Sequence, residues 1–137
     1  MASKRILLVD DEVDFTRSLA QVLMFRDYEV TAVNNGRDAL RALGEGSFDA
    51  VVLDLKMPGM DGIATLEEIQ QLGLFAQTII LTGHGTDETA EKARSMGAHD
   101  FLHKPFDLDE LLASIESALK KKVRIETKSD LDRMIRS

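Results

Sequence analysis

The chain has 137 residues, 44% of them apolar and 30% charged, which is enough apolar sequence for one globular domain with its own core. It has no Cys, which excludes disulfides and thiolate metal sites, and its net charge of −7 argues against a generic nucleic-acid surface. No apolar run approaches the roughly 20 residues of a membrane span, and the start does not resemble a signal peptide. We therefore expect a cytoplasmic protein without a membrane partner, provided that the chain is not a piece of a larger one.

Short apolar segments alternate along the chain with segments of helical periodicity. Three of the five predicted strands show little polar alternation, which is typical of strands buried on both faces of a parallel sheet. The chain therefore predicts an α/β fold with a five-stranded parallel sheet, doubly wound as (βα)5, in the flavodoxin-like order 2-1-3-4-5. The predicted strands are residues 5–10, 28–34, 50–54, 78–82 and 100–104.

The segments between the strands have apolar residues at helical spacing. Asp107 is the predicted N-cap of the last helix, with Glu110 in the position of a capping box. The fourth helix has small residues, Ala90 and Ala93, that could pack against a partner or a second copy, or could be plain packing within the chain. The predicted apolar faces are Phe15, Leu19, Val22 and Leu23 in the first helix, Ala39, Leu40 and Leu43 in the second, and Leu108, Leu111, Leu112, Ile115 and Leu119 in the last.

Polar and charged side chains lie at the carboxyl ends of the predicted strands. Asp10 and Asp11 end strand 1 and Asp54 ends strand 3, two strands that are neighbours in the predicted order. Ligands bind in such sheets beyond the carboxyl ends of the strands at this switch point, so the three carboxylates should converge there. Thr82 and Lys104 end strands 4 and 5 and should point at the same rim. Clustered carboxylates repel one another, and an all-oxygen set without His or Cys favours Mg²⁺.

Four short motifs carry a family resemblance. They are "LLVDDE", "DLKMPGMDG", "ILTGHG" and "FLHKPF", which occur in this order and at family-like spacing within residues 4–122. Together with the alternation of strands and helices, they make the chain resemble the receiver domain of bacterial two-component response regulators.

The resemblance implies a phosphoryl acceptor and a metal site. Asp54 would accept a phosphoryl group from the phosphohistidine of a histidine kinase or a phosphotransfer protein. Asp11 and Asp54 would bind Mg²⁺ directly, Asp10 would act through water, and the backbone carbonyl of Lys56 would be a further ligand. We expect no other cofactor.

The resemblance also implies a switch. Thr82 and Lys104 would bind the phosphoryl oxygens, and Phe101 would be the aromatic residue that packs inward as Thr82 moves. The Lys104–Pro105 peptide would be cis. The surface of helix 4, strand 5 and helix 5 would change as a population shift, and would control an output domain or partner or form a possible homodimer.

Simpler interpretations stay open for single residues. Asp54 alone could be a strand terminator, and Asp11 could cap the first helix. Glu12 and Asp14 are interpreted as solvated acids in a first helical turn. The Lys56 side chain could shield the aspartyl phosphate from water or could be an ordinary solvated lysine.

For other positions the interpretation is structural. Phe101 is a core residue on pattern alone, and Lys104 could be a surface lysine. Asp61–Gly62 is interpreted as a turn and helix start, and Gly59 as a site of tight backbone. His84, in a loop, carries no firm prediction.

Three other functions are compatible with parts of this pattern. A hydrolase of the haloacid-dehalogenase type would need an Asp where Lys56 stands, and a flavodoxin-like cofactor binder would need a hydroxyl- or Gly-rich loop where "DDEVDF" stands. A phosphorylation-independent interaction module of receiver fold is the remaining alternative. We expect a signalling switch rather than an enzyme.

The C-terminal residues differ in composition from the rest. Residues 120–137 contain seven Lys/Arg and three Asp/Glu, whereas the other residues carry a net charge of −11. We divide the chain into a receiver domain, 1–122, and a tail or linker stub, 123–137. The tail could hold a short helix capped by Ser129, with Leu131, Met134 and Ile135 on one side. It is too short for a helix-turn-helix domain, so we expect no direct binding of nucleic acid.

Overall fold

A computed structural model describes residues 3–57, 61–83 and 85–136. In these residues, strands and helices alternate from the first strand to the last helix, as the sequence predicts. The strands form one parallel sheet in the order β2-β1-β3-β4-β5, which confirms the predicted fold class. The elements are β1 Arg5–Val9, α1 Val13–Phe25, β2 Glu29–Val33, α2 Gly36–Glu45, β3 Ala50–Leu53, α3 Gly62–Gln71, β4 Gln77–Thr82, α4 Asp87–Ser95, β5 Asp100–His103 and α5 Leu108–Arg136.

The sheet has an apolar core on each face. Successive side chains of a strand point to opposite faces, so Leu7 and Val9 enter one core and Ile6 and Leu8 the other. Every residue of β3 and β4 is buried, which explains why these strands show no polar alternation in the sequence. Helices α2, α3 and α4 supply buried residues to the first core, and α1 and α5 to the second.

The helices bury most of their predicted apolar faces. Leu19 and Leu23 of α1 are buried, but Val22 lies at the edge of the buried face and is 36% exposed. The Asp107 carboxylate accepts a hydrogen bond from the Asp109 backbone N–H at 2.9 Å, as expected of a cap at the start of α5. The small residues of α4 serve as packing within the chain, the simpler of the two interpretations. Ala90 and Ala93 are buried in this chain's own core, so they are not available to a partner in this structure.

Helix α5 does not end where the composition changes. It runs unbroken from Leu108 to Arg136, with Ser129 inside it, so the described tail residues are a continuation of α5 and not a separately capped short helix. The segment contains no Gly or Pro, the residues that most strongly interrupt a helix. Lys122, in this part of α5, forms an ion pair of 2.9 Å with Asp49, which directly precedes β3. The boundary at residue 122 stays a prediction. Among the described helices, none is both long and apolar enough to cross a membrane.

Candidate functional site

The pairing of β1 with β3 places two aspartates side by side. Val9 and Leu53 are partners in the register, and the next residues are Asp10 and Asp54. The Asp54 backbone N–H donates to the Val9 carbonyl oxygen at 2.9 Å, so the ladder continues one step beyond the strands. The two aspartates are only 4% and 3% exposed. The switch point of the sheet therefore holds two buried carboxylates.

Lys104 reaches the same place from the end of β5. Its backbone N–H donates to the Thr82 carbonyl oxygen at 2.9 Å, and its peptide bond to the following proline is cis, as expected. The Lys104 Nζ lies 2.5 Å from Asp10 Oδ2, 3.4 Å from Glu12 Oε1 and 3.8 Å from Asp54 Oδ2. One ammonium group thus faces three carboxylates.

Burial and charge compete in this cluster. Burial raises the pKa of Asp10, and the hydrogen bonds from Lys104 and from the Glu12 backbone N–H offset this only in part. Burial by itself lowers the pKa of Lys104, but the hydrogen bond to Asp10 and the nearby carboxylates outweigh it and raise that pKa above its ordinary value. Lys104 is therefore cationic at neutral pH, and it neutralises only one of the three acids around it.

The carboxylates are close enough together to hold a metal ion. One oxygen each of Asp10, Glu12 and Asp54 lie within 4.8 Å of one another. Mg²⁺ prefers oxygen ligands, and carboxylates above all, so these three acidic residues fit this ion. The donor set is therefore compatible with a divalent cation such as Mg²⁺.

The third acid of this cluster differs from the one expected. Asp11 and Glu12 are both exposed, but only Glu12 belongs to the group of three. The Glu12 side chain is 63% exposed, which agrees with its interpretation as a solvated acid. Glu12 is the N-cap residue of α1, and no side-chain hydrogen bond caps this helix start as described, so Asp11 does not cap α1 in this structure. The Asp10 carboxylate instead accepts from the Glu12 backbone N–H at 3.0 Å. The run of three acids was the signal in the sequence, but it does not show which of the exposed acids lies close to Lys104.

The two residues expected to act as a switch are buried next to each other. Thr82 is fully buried at the end of β4, and Phe101 is 5% exposed on β5. The Phe101 ring packs edge to face with His103 at 5.2 Å between ring centroids. On another side it meets Gly85, where an added Cβ would lie 2.4 Å from the ring and 3.2 Å from the Thr82 methyl group. The Phe101 ring and the Thr82 methyl group therefore both border Gly85 in the loop after β4. A coupled movement of the two residues stays a prediction.

Hydrogen bonds from backbone N–H groups to two aspartate side chains shape the loop after Asp54. The Lys56 backbone N–H donates to Asp54 Oδ1 at 3.3 Å, while the Lys56 side chain is exposed. Asp61 caps α3 by accepting from the Ala64 N–H at 2.8 Å, which confirms this position as a turn and helix start. The metal role of the Lys56 carbonyl oxygen stays a prediction. His84 and Gly59 lie outside the described residues.

The comparisons with known proteins agree with this geometry. Residues 6–116 match the family model described as the response regulator receiver domain. This match covers most of the chain, and the chain belongs to that family.

The similar proteins are regulators of which this chain matches one part. It is 43% identical over 114 residues to the transcriptional regulatory protein ZraR of Escherichia coli K12, and 40% identical over 118 residues to the regulatory protein AtoC of the same strain. These matches cover 83% and 86% of this chain, but the chain spans only about a quarter of either relative, 26%. Among solved structures, a CheY-like receiver domain protein from Methanospirillum hungatei JF-1 superposes with a TM-score of 0.86 at 29% identity, covering 90% of this chain and 98% of that one.

Proposed function

We propose that this chain is a phosphorylation-activated signalling switch whose acceptor is Asp54. The observation that carries the proposal is the position of this carboxylate, which is 3% exposed and lies 3.8 Å from the Lys104 ammonium at the switch point of the sheet. A phosphoryl group on Asp54 would lie beside the positive charge of Lys104, and we propose that the hydroxyl group of Thr82, at the end of β4, faces it as well. These are the groups that phosphoryl transfer needs, because its catalysis consists mainly of positioning and charge stabilisation.

The transfer itself is a displacement at phosphorus. A carboxylate oxygen of Asp54 forms the new P–O bond while the bond from phosphorus to the donor breaks, which is a P–N bond in a phosphohistidine. Lys104 donates to the phosphoryl oxygens and balances their charge, and the Thr82 hydroxyl is proposed as a second donor. Asp10, Asp54 and either Asp11 or Glu12, with the Lys56 carbonyl oxygen, would hold Mg²⁺. The ion supplies neutralisation of phosphoryl charge when it is bound.

The output is proposed to be a change of surface. When Thr82 moves toward the phosphoryl group, the space next to Gly85 and Phe101 changes, and the surface formed by α4, β5 and α5 changes with it. The partners we propose are a histidine kinase or phosphotransfer protein on the input side and an output domain or downstream protein on the other. A homodimer through the same surface is a further proposal. The small share of ZraR and AtoC that the chain covers is compatible with an output domain encoded elsewhere.

The test is intact mass after incubation with acetyl phosphate and Mg²⁺. We expect the wild type to gain the mass of one phosphoryl group, and we expect no gain without Mg²⁺ or in the Asp54→Asn variant. This variant keeps the size of the side chain but removes the nucleophilic carboxylate. Circular dichroism of both proteins shows whether the fold is retained.

Two results would contradict the proposal. A folded wild type that gains no mass at any Mg²⁺ concentration favours the phosphorylation-independent interaction module. An equal gain in Asp54→Asn would mean that the acceptor is a different residue.

A further inference from the structure

We propose that Phe15 is a positioning residue for Lys104 and that its ring holds the ammonium group beside the acceptor without using any of its N–H donors. The Lys104 Nζ lies 4.2 Å from the centroid of the Phe15 ring. This inference rests on the proposed function, in which Lys104 binds the phosphoryl oxygens. From sequence, Phe15 was predicted only as part of the apolar face of α1.

The number of donors on an ammonium group explains why a ring is suited to this position. Lys104 has three N–H donors and no acceptor, and its neighbours include three carboxylates at 2.5, 3.4 and 3.8 Å. The face of an aromatic ring attracts a cation through its quadrupole and requires no particular N–H direction. The contact with Phe15 therefore adds attraction and leaves the donors for oxygen atoms, including those of a phosphoryl group on Asp54.

The contact is also desolvated, which strengthens it. The Lys104 side chain is only 15% exposed, so water does not screen the attraction between ammonium and ring as it does at an open surface. Phe15 lines the same small cavity as Asp10 and Asp54. Phe15 therefore lies close to both aspartates as well as to Lys104.

A second aromatic residue holds the ring in place. Phe15 and Phe106 pack edge to face, with 6.0 Å between the ring centroids and 89° between the ring planes. Phe106 follows Lys104 by two residues, while Phe15 lies in the first turn of α1, three residues after Glu12. The aromatic pair therefore fixes the start of α1 to the loop that carries Lys104. An edge-to-face pair contributes about 0.5–1.5 kcal/mol beyond the area it buries.

The test compares three variants of the full chain. Phe15→Leu removes the ring but keeps an apolar side chain, and Phe15→Tyr keeps a ring. Phe25→Leu makes the same change at the other end of α1, where the side chain is 90% exposed, and serves as the control. Thermal unfolding of each variant shows that it is folded.

The first measurement is the NMR shift of the Lys104 side-chain methylene protons next to the ammonium group, in the unphosphorylated protein. A ring face shields nearby protons, so we expect an upfield shift in the wild type, Phe15→Tyr and Phe25→Leu that is lost in Phe15→Leu. The second measurement is the rate at which acetyl phosphate with Mg²⁺ labels Asp54. We expect this rate to fall about fivefold in Phe15→Leu, the factor that corresponds to a contact of about 1 kcal/mol, and to recover in Phe15→Tyr.

Each contrary outcome has a distinct meaning. A labelled wild type with an unchanged rate in Phe15→Leu refutes the positioning role and leaves the proposed function intact. A rate in Phe15→Tyr as low as that in Phe15→Leu also refutes it, because both variants then fail for a reason other than loss of the ring. A folded wild type that is not labelled refutes the proposed function and the positioning role together, whether or not the Lys104 shift is present.

Discussion

Gly62 begins α3 in direct contact with the backbone that follows β3. Its N–H donates to the Leu55 carbonyl oxygen at 2.7 Å. A Cβ at this position would lie 2.2 Å from Leu55 Cα, 2.6 Å from Leu55 O and 2.7 Å from Asp54 O. All three are backbone atoms, so no change of rotamer can relieve the overlap. Gly62→Ala must therefore push α3 away from the residues that carry the acceptor.

The expected cost follows from two opposing effects. Overpacking of a tight site costs typically 1–3 kcal/mol, and contact with rigid backbone places this site at the upper end, about 3 kcal/mol. Replacing Gly by Ala at a helical position returns up to about 1 kcal/mol by reducing the freedom of the unfolded chain. We therefore expect the free energy of unfolding to fall by about 2 kcal/mol. For a domain of this size, this corresponds to a decrease in Tm of about 7 °C.

Urea denaturation and thermal unfolding measure this change, and Gly44→Ala is the matched control. Gly44 lies within α2, and no atom comes within 4 Å of a Cβ built there, so we expect this variant to gain about 0.5–1 kcal/mol. The reasoning is refuted if the two variants have the same stability within about 0.5 kcal/mol, a margin typical of neutral surface changes. Such a result would mean that the nearby backbone of Leu55 and Asp54 does not prevent a side chain at position 62.

Two further predictions concern the switch and the ion pair that holds the middle of α5. Gly85→Ala should displace the Phe101 ring, because the new Cβ would lie 2.4 Å from it. The control is Gly83→Ala, whose new Cβ would have only one neighbouring atom, at 3.8 Å. In NMR spectra, the contacts of the Phe101 ring should be lost in Gly85→Ala and kept in Gly83→Ala. Asp49→Asn should lower the free energy of unfolding by about 1.5 kcal/mol at neutral pH, since it weakens the ion pair with Lys122. Burial alone raises the pKa of Asp49, but hydrogen bonds from a backbone amide and from Lys122 outweigh it and hold that pKa below its ordinary value of 3.8. Because folding lowers the pKa of Asp49, its ionised form stabilises the protein at pH values above 3.8, and this stabilisation is lost as the pH falls through the lower pKa of the folded state. In urea titrations, the difference in free energy of unfolding between wild type and Asp49→Asn should therefore shrink only below pH 3.8. A constant difference down to the acid transition would contradict this account.

The sequence by itself determined the fold and the location of the site. Short apolar runs and helical periodicity are local signals, and they were sufficient for the order of strands and helices. The strand order then followed from the rules for parallel crossovers, and it placed Asp10 beside Asp54 and directed Lys104 to the same rim. The structure brings these three side chains together. The roles of Asp54, Thr82 and Phe101 in a switch stay predictions.

Only the tertiary structure decided which neighbouring side chains join them. Asp11 and Glu12 are both exposed, but of the two only Glu12 comes within 3.4 Å of the Lys104 ammonium group, and the ring of Phe15 covers that group. Lys104 is 92 residues away from Glu12 in the chain, so no local pattern could show this choice. Side-chain direction at a strand end depends on the charges and rings that distant segments bring to it, whereas strand and helix formation depends on neighbours in sequence. The same distinction explains Gly62, whose need for glycine arises from the backbone of Leu55 across the acceptor loop.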